Sequence, residues 1–166
     1  MRTPQRKPGK YTGLKPDPNI TQAKYQELCD KLERLKKINQ PAAIKEVKRL
    51  ALDGDFSENH AYSMAKGRLR GINQRILDIE DHLRMAEIIE PNNNTEIVGL
   101  GSQVTVEVNG KTRVYQILGS SETDPIRGII SHNSPLGQAL MNRRVNESIT
   151  IETKTKPVVY KIVCIK

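Results

Sequence analysis

The hydrophobic positions of the chain follow a helical period in its first half and a strand period in its second. From Tyr62 to Ala86, apolar side chains recur in steps of three and four residues, the spacing of a coiled-coil seam. The positions are Tyr62, Ala65, Leu69, Ile72, Ile76, Ile79, Leu83 and Ala86. This pattern predicts one long amphipathic helix that buries a single apolar stripe against a partner.

A helix with a similar stripe precedes it. Thr21 is a good N-cap residue for this helix. Its apolar positions are Tyr25, Leu28, Leu32, Leu35 and Ile38, then Ala42, Ile44, Val47 and Ala51. Pro41 lacks a backbone donor, so we expect a kink or restart near Asn39 or Gln40, with the stripe continuing beyond it. Because a short turn separates the two stripes, the helices are expected to lie antiparallel and to bury each other's stripe.

After Pro91 the apolar positions change to the period of two that is typical of strands. Val104, Val106 and Val108 alternate with polar residues, and Asn109-Gly110 is a strong hairpin signal. The other elements predicted are a return strand through Val114 and Ile117, strands at Ile129-Ile130, 148–152 and 157–165, and a short helix from Ser134-Pro135 to Met141. The sequence therefore predicts an α+β protein, with an antiparallel coiled-coil hairpin followed by a domain with a mostly antiparallel sheet.

Composition delimits three parts: a tail over residues 1–20, the helical arm over 21–90 and the sheet domain over 91–166. The tail holds five Lys/Arg, one Asp and four prolines, so we expect it to be disordered. The net charge of +8 is typical of proteins that bind polyanions but names no partner. No apolar stretch approaches the ~18 residues of a membrane span, and the N-terminus lacks a signal-peptide pattern. We therefore expect a soluble, cytoplasmic protein without a membrane partner.

The chain offers little chemistry of its own. Cys29 and Cys164 fit neither a metal site nor a disulfide framework, and we expect both to be buried. His60, His82 and His132 share no metal spacing. No nucleophile with an adjacent base is found, so we assign no catalytic residue that acts without a partner.

The turn between the helices carries three carboxylates, Asp53, Asp55 and Glu58. Asp55 and Glu58 have the spacing of a capping box, in which both acids satisfy backbone N–H groups of the following helix. Mg²⁺ also prefers carboxylate oxygens, and it commonly takes further ligands from a substrate or partner. The pair would hold Mg²⁺ weakly alone but could complete a metal site in another protein. Capping and metal binding both stay open here.

Basic residues flank this acidic turn in sequence, before it on the first helix and after it on the second. They form a basic belt consisting of Lys45, Lys48, Arg49, Lys66, Arg68, Arg70 and Arg75. A solvated helix face and a nucleic-acid contact are both open interpretations of such a belt.

Three stretches of the chain carry a resemblance to a known family. They are Thr21, Leu28, Leu32, Leu35 and Pro41; then Gly54, Asp55, Glu58, Asn59 and Tyr62; then Ser131, Ser134, Pro135, Leu136, Ala139 and Leu140. In this order they resemble the bacterial Gre-type transcript cleavage factors, the GreA/GreB family, over about residues 20–166.

The resemblance implies a monomeric elongation factor that is not itself an enzyme. Its coiled-coil arm would enter the secondary channel of RNA polymerase, and an FKBP-like domain would dock at the channel rim through Ser131, Ser134, Pro135 and Leu136. Asp55 and Glu58 would hold Mg²⁺ at the polymerase active site and promote cleavage of backtracked nascent RNA, which would lie along the basic belt. The residues that would support the tip are Asp53, Gly54, Asn59 and Tyr62.

Departures from the family pattern leave a second function open. Lys24 stands where a glycine is usual, His60-Ala61 displaces an acid after the tip, and Asn146-Glu147 replaces a familiar Gly-Asp. The alternative is a regulator that occupies the channel and inhibits transcription without cleavage. A generic RNA-binding coiled coil is a further alternative, whereas prolyl isomerase activity is disfavoured because Phe56 is the single Phe and Trp is absent.

Overall fold

The computed structural model describes residues 17–52, 60–90, 92, 95–152 and 157–166. The helices are α1 (Gln22–Arg34), α2 (Gln40–Leu52), α3 (His60–Met85) and α4 (Pro135–Leu140), with a π-helical turn at Leu35–Asn39 and a 3₁₀ turn at Ser120–Glu122. The strands are β1 (Asn19–Ile20), β2 (Glu87–Ile88), β3 (Gln103–Val108), β4 (Lys111–Leu118), β5 (Ile129–Ser131), β6 (Ser148–Glu152) and β7 (Pro157–Ile165). The predicted α+β fold is confirmed.

The helical arm is a rod of α1, the π-helical turn and α2, which lies antiparallel to α3. Thr21 caps α1 as predicted, since its hydroxyl accepts from the N–H of Lys24 at 3.2 Å. Leu28 and Leu35 of the rod and Ile76 and Ile79 of α3 are the buried residues that form the apolar centre of the arm. All eight predicted stripe positions, seven in α3 and Ala86 directly after it, are buried or partly buried. The interpretation of α3 as one continuous stripe is therefore confirmed.

The stripe predicted for the first helix is right up to Leu35 and again at Val47 and Ala51, which are partly buried, but it is wrong between them. Ile38 is 62% exposed and Ile44 is 37% exposed, whereas Ala43 rather than Ala42 is buried, at 5% exposed. The cause is the π-helical turn, in which the N–H of Gln40 bonds the carbonyl oxygen of Leu35, five residues back. A π turn holds one more residue than an α turn, so every later residue is displaced by one position around the axis.

Pro41 explains why the turn lies there. In a regular α-helix its ring would clash with the carbonyl four residues back, and it has no N–H to donate. In this structure Pro41 is in the first turn of α2, directly after the π-helical turn. The predicted irregularity near Asn39 and Gln40 is thus confirmed, but as a π bulge that keeps the helix continuous while shifting its buried face.

The segment just before α1 belongs to the fold, which corrects the predicted tail. β1 pairs in parallel with β2 after α3, and Ile20 is fully buried among the apolar residues of the arm. The expectation of disorder is therefore wrong for residues 17–20, because pairing with β2 gives this short stretch a buried environment. The remainder of the predicted tail, residues 1–16, lies outside the described residues.

The second unit is a mixed sheet with strand order β5-β4-β3-β7-β6, in which only the β4–β5 pair is parallel. The predicted hairpin joins β3 to β4, with φ of 49° at Asn109 and 71° at Gly110. Both angles lie in the left-handed region that a two-residue hairpin turn requires. The core beneath the sheet consists of Val98, Val104, Val106, Ile117, Leu140, Ile149, Ile162 and Ile165.

Both cysteines are partly exposed free thiols, so the expectation that they are buried is wrong. Cys29 follows the buried Leu28 and is therefore turned off the stripe. Cys164 precedes the buried Ile165, and alternation along β7 directs it to the outer face of the sheet.

The shifted stripe predicts that two neighbouring substitutions lower the free energy of unfolding by different amounts. Ala43→Glu places a carboxylate in the buried interface and should lower the free energy of unfolding by about 2 kcal/mol or more. Ala42→Glu adds the same group to the exposed face and should change it by less than about 0.5 kcal/mol. Urea denaturation of the full chain, followed by circular dichroism, measures both. Equal losses in the two variants would contradict the shift.

Candidate functional site

The predicted acidic tip lies outside the described residues, and the structure describes the helices on either side of it. α2 ends at Leu52 and α3 begins at His60. α3 has 26 residues, which at 1.5 Å per residue corresponds to roughly 39 Å. Because β2 follows the other end of α3, Leu52 and His60 mark the end of the arm that is remote from β2. Tyr62, the described member of the predicted tip, is partly buried, and the Lys66 ammonium lies 5.1 Å from its ring centroid.

The seven residues of the basic belt are all exposed, and six of them, all but Lys45, divide between two flanks of the arm. On one flank the Gln40 side chain donates to Asn73 across the helices at 2.8 Å. Lys48 is two helical steps of four residues beyond Gln40 and so lies on the same flank. This flank carries a groove of about 420 Å³, lined by Ser63, Lys66, Gly67, Leu69, Arg70 and Asn73. We call it the Lys66 flank.

On the opposite flank, Arg68 donates to the carboxylate of Glu46 at 2.8 Å. Arg49 and Arg75 lie at helical spacing from these two residues and share their flank. An exposed ion pair contributes little stability, but it offsets the Arg68 charge locally. The positive potential of the belt is therefore stronger on the Lys66 flank.

The predicted docking residues at β5 and α4 are largely engaged inside the sheet domain. Ser131 is 8% exposed and its hydroxyl lies 2.8 Å from that of Ser120. Ser134 caps α4 by accepting from the N–H of Gly137 at 3.0 Å. Leu136 packs against the core, which leaves Pro135 as the exposed member of the set. The serines thus shape this loop, and its contact with a partner remains a prediction.

Sequence reasoning missed an interdomain joint, formed by Asp17, Thr21, Ser120, Glu122 and His82. The Asp17 carboxylate accepts from the N–H and hydroxyl of Ser120 at 2.8 and 2.9 Å, and its backbone oxygen contacts Nε2 of His82 at 3.1 Å. The Glu122 carboxylate accepts from the N–H and hydroxyl of Thr21 at 2.8 and 2.6 Å. These bonds hold the base of the arm against the 3₁₀ turn at Ser120–Glu122, the turn whose Ser120 hydroxyl contacts that of Ser131.

The joint favours the ionised form of Asp17, whose side chain is 5% exposed. Burial alone would raise the pKa of this carboxyl, but hydrogen bonds from Ser120 and Asn19 outweigh that effect and lower the pKa below its ordinary value of 3.8. The joint is therefore stabilised by a buried negative charge that has its full set of donors.

No cluster of three or more His, Cys, Asp or Glu in the described ranges could hold a metal ion. Among the same residues, no helix combines the length and the apolar character needed to cross a membrane.

Comparison with protein families divides the chain into the same two parts. A family model described as "Transcription elongation factor, N-terminal" matches residues 19–88. A second, described as "Transcription elongation factor, GreA/GreB, C-term", matches residues 92–166.

Individual proteins agree with these matches. The chain is 36% identical to the transcription elongation factor GreA of Bacillus velezensis, over 87% of this chain and 93% of the relative. It is 37% identical to GreA of Bacillus subtilis, over 83% and 89% of the two chains. Among solved structures, a GreA factor homolog of Thermus thermophilus is 29% identical and covers 89% of this chain and 97% of its own, with a TM-score of 0.40.

The lowered pKa of Asp17 predicts a pH-dependent contribution to stability. This contribution is fully present above the ordinary pKa of 3.8 and is lost as the pH falls below it through the lowered folded-state pKa. Asp17→Asn should therefore destabilise the protein most near neutral pH, and the difference from wild type should shrink on acidification. Urea unfolding measured from pH 7 to pH 3 tests this, with the exposed Asp30→Asn as control. A difference that grows at low pH would contradict it.

The asymmetry of the basic belt predicts unequal contributions to nucleic-acid affinity. Lys66→Gln and Arg70→Gln should each weaken binding of single-stranded RNA and reduce the slope of log K against log salt by about 0.7. Arg68→Gln should have a smaller effect, since Glu46 already offsets its charge. Fluorescence anisotropy with a labelled oligonucleotide at several salt concentrations measures the slopes, and three equal slopes would contradict the division into flanks.

Proposed function

Because the chain belongs to the GreA/GreB family of transcription elongation factors, we propose that it acts on RNA polymerase and stimulates cleavage of backtracked RNA in the polymerase active site. The observation that carries the proposal is the shape of the arm. Two antiparallel helices extend from the sheet domain, and in the sequence the three acids lie between Leu52 and His60, the far ends of these helices.

The dimensions of the arm suit insertion into a channel. By helix rise, α3 alone reaches roughly 39 Å, and each helix is about 10–12 Å wide with its side chains. The arm is therefore long enough to reach a buried site that the sheet domain cannot enter. In this proposal the arm occupies the secondary channel and the sheet domain rests at its rim, where the exposed Pro135 is available for contact.

Asp55 and Glu58 are the residues proposed to act at the polymerase active site. Their oxygens are the donor type that Mg²⁺ takes from proteins, and two carboxylates leave other positions for ligands from a partner. When bound, the ion would activate water for phosphodiester cleavage. The protein is then not an enzyme, since it donates these carboxylates to a site whose other groups belong to polymerase.

The Lys66 flank is the surface proposed to meet the extruded RNA. Its lysines and Arg70 follow the tip along the arm, so RNA that leaves the active site beside the tip passes over them. The interdomain joint supports this arrangement mechanically. Because Asp17 and Glu122 hold the base of the arm, docking of the sheet domain also sets the direction in which the arm points.

The proposal predicts loss of cleavage when either tip carboxylate is removed. Asp55→Asn and Glu58→Gln each delete a metal ligand while keeping the size of the side chain. Each should slow RNA cleavage by at least about tenfold, because even residues that only support metal ligands have effects of that size. The measurement is the rate of RNA shortening in stalled, backtracked RNA polymerase complexes incubated with the full-length protein.

Two controls separate this mechanism from its alternatives. Asp81→Asn changes an exposed acid of α3 that pairs with Arg84, so this variant should stimulate cleavage by polymerase as the wild type does. Competition with labelled wild-type protein should show that the tip variants still bind polymerase. Wild-type protein that slows nucleotide addition without shortening RNA would identify a channel inhibitor and reject the cleavage function.

A further inference from the structure

A second groove with basic lining lies on the sheet domain, away from the arm. Its volume is about 360 Å³, and it is lined by Val108, Asn109, Lys111, Arg113, Val158 and Tyr160. Nothing in the proposed function uses it. Its lining combines two cations, a side-chain amide and an aromatic ring, and contains no acid.

Strand register explains how these side chains come together. Lys111 and Arg113 of β4 pair with Val108 and Val106 of β3 and therefore project from the same face as these buried valines. Tyr160 of β7 packs against the core on that face. β3 lies between β4 and β7, so the cations and the ring start about 10 Å apart, two strand spacings. The groove thus has one basic wall, an apolar floor and one aromatic wall.

Among the described residues, no acid neutralises the basic wall. In the part of the chain that the structure describes, neither Lys111 nor Arg113 forms an ion pair with a carboxylate. The connection from β6 to β7 has the sequence Thr-Lys-Thr-Lys at residues 153–156, which contains no acid. Both cations are exposed, whereas Val108 on the floor is 9% exposed. An anion that enters the groove therefore meets uncompensated positive charge.

We propose that this groove binds single-stranded nucleic acid. Lys111 and Arg113 contact the phosphate backbone, and one base stacks on the ring of Tyr160. Sites for single strands combine these two features, a basic groove that follows the backbone and an aromatic ring that accepts any base. An acidic peptide would satisfy the cations but would make no use of the aromatic wall. The inference goes beyond the proposed function, because the groove is on the other unit of the protein and its binding requires no polymerase.

The test measures binding of a fluorescently labelled eight-nucleotide single-stranded RNA to the full-length protein. All proteins carry Lys66→Gln and Arg70→Gln, which weakens the Lys66 flank and leaves the sheet domain unchanged. On this background, Lys111→Gln with Arg113→Gln should weaken binding about tenfold and reduce the salt slope by about 1.4, or about 0.7 for each phosphate contact. Tyr160→Leu should also weaken binding about tenfold through loss of stacking, whereas Tyr160→Phe should bind normally.

Lys161→Gln is the control. It removes one positive charge from β7, the strand of Tyr160, at an exposed position next to Tyr160. It should leave affinity and salt slope unchanged. Tyr160→Leu alters a partly buried residue, so its fold is checked by thermal denaturation. The salt slope of the variant with Lys111→Gln and Arg113→Gln does not depend on the Tyr160 result, because both cations are exposed and their replacement leaves the core unchanged. Salt slopes that are equal for the double variant and the Lys161 control would overturn the proposal. A second result would also overturn it: a folded Tyr160→Leu variant binds RNA normally, and polyglutamate displaces the RNA. That result would identify an acidic protein segment as the ligand.

Discussion

The position of the arm depends on two hydrogen-bonded carboxylates at its base, of which Asp17 is nearly buried and Glu122 is partly buried. Asp17 accepts from Ser120, and Glu122 accepts from the first residue before α1, so each unit of the protein supplies one acid to the other. A carboxylate that loses water contact is costly unless hydrogen-bond donors replace the water, and here both carboxylates have such donors. Breaking the joint would expose or orphan these charges. These hydrogen bonds join the base of the arm directly to the sheet domain, in addition to the chain connection between them.

The π-helical turn has consequences beyond the local geometry of the helix. Because it displaces α2 by one residue, Ala43 enters the seam and Glu46 is brought opposite Arg68. Without the shift, Glu46 would lie elsewhere on the helix and the two flanks would carry more equal charge. A single proline thus influences which side of the arm attracts a polyanion, through helix geometry rather than through any contact of its own.

Sequence periodicity predicted the features that depend on local rules. The α3 stripe, the Thr21 cap, the Asn109-Gly110 hairpin and the strands after it are all encoded within a few residues. The π bulge was foreseen only as an irregularity, since periodicity assumes a uniform turn. The joint could not be foreseen, because Asp17 and Ser120 are more than a hundred positions apart and the residues around Asp17 have the composition of a tail. Pairing across such separations leaves no periodic signal.

Capping and metal donation at the tip need not compete. An ionised carboxylate offers about four acceptor positions, and a capping hydrogen bond uses one of them. A cap would also restrict the rotamers of Asp55 and Glu58, which reduces the entropy lost when a metal is bound. Two carboxylates alone remain too few for a tight Mg²⁺ site. Under the proposed function this weakness is useful, because the acids acquire their role only where polymerase supplies the remaining ligands.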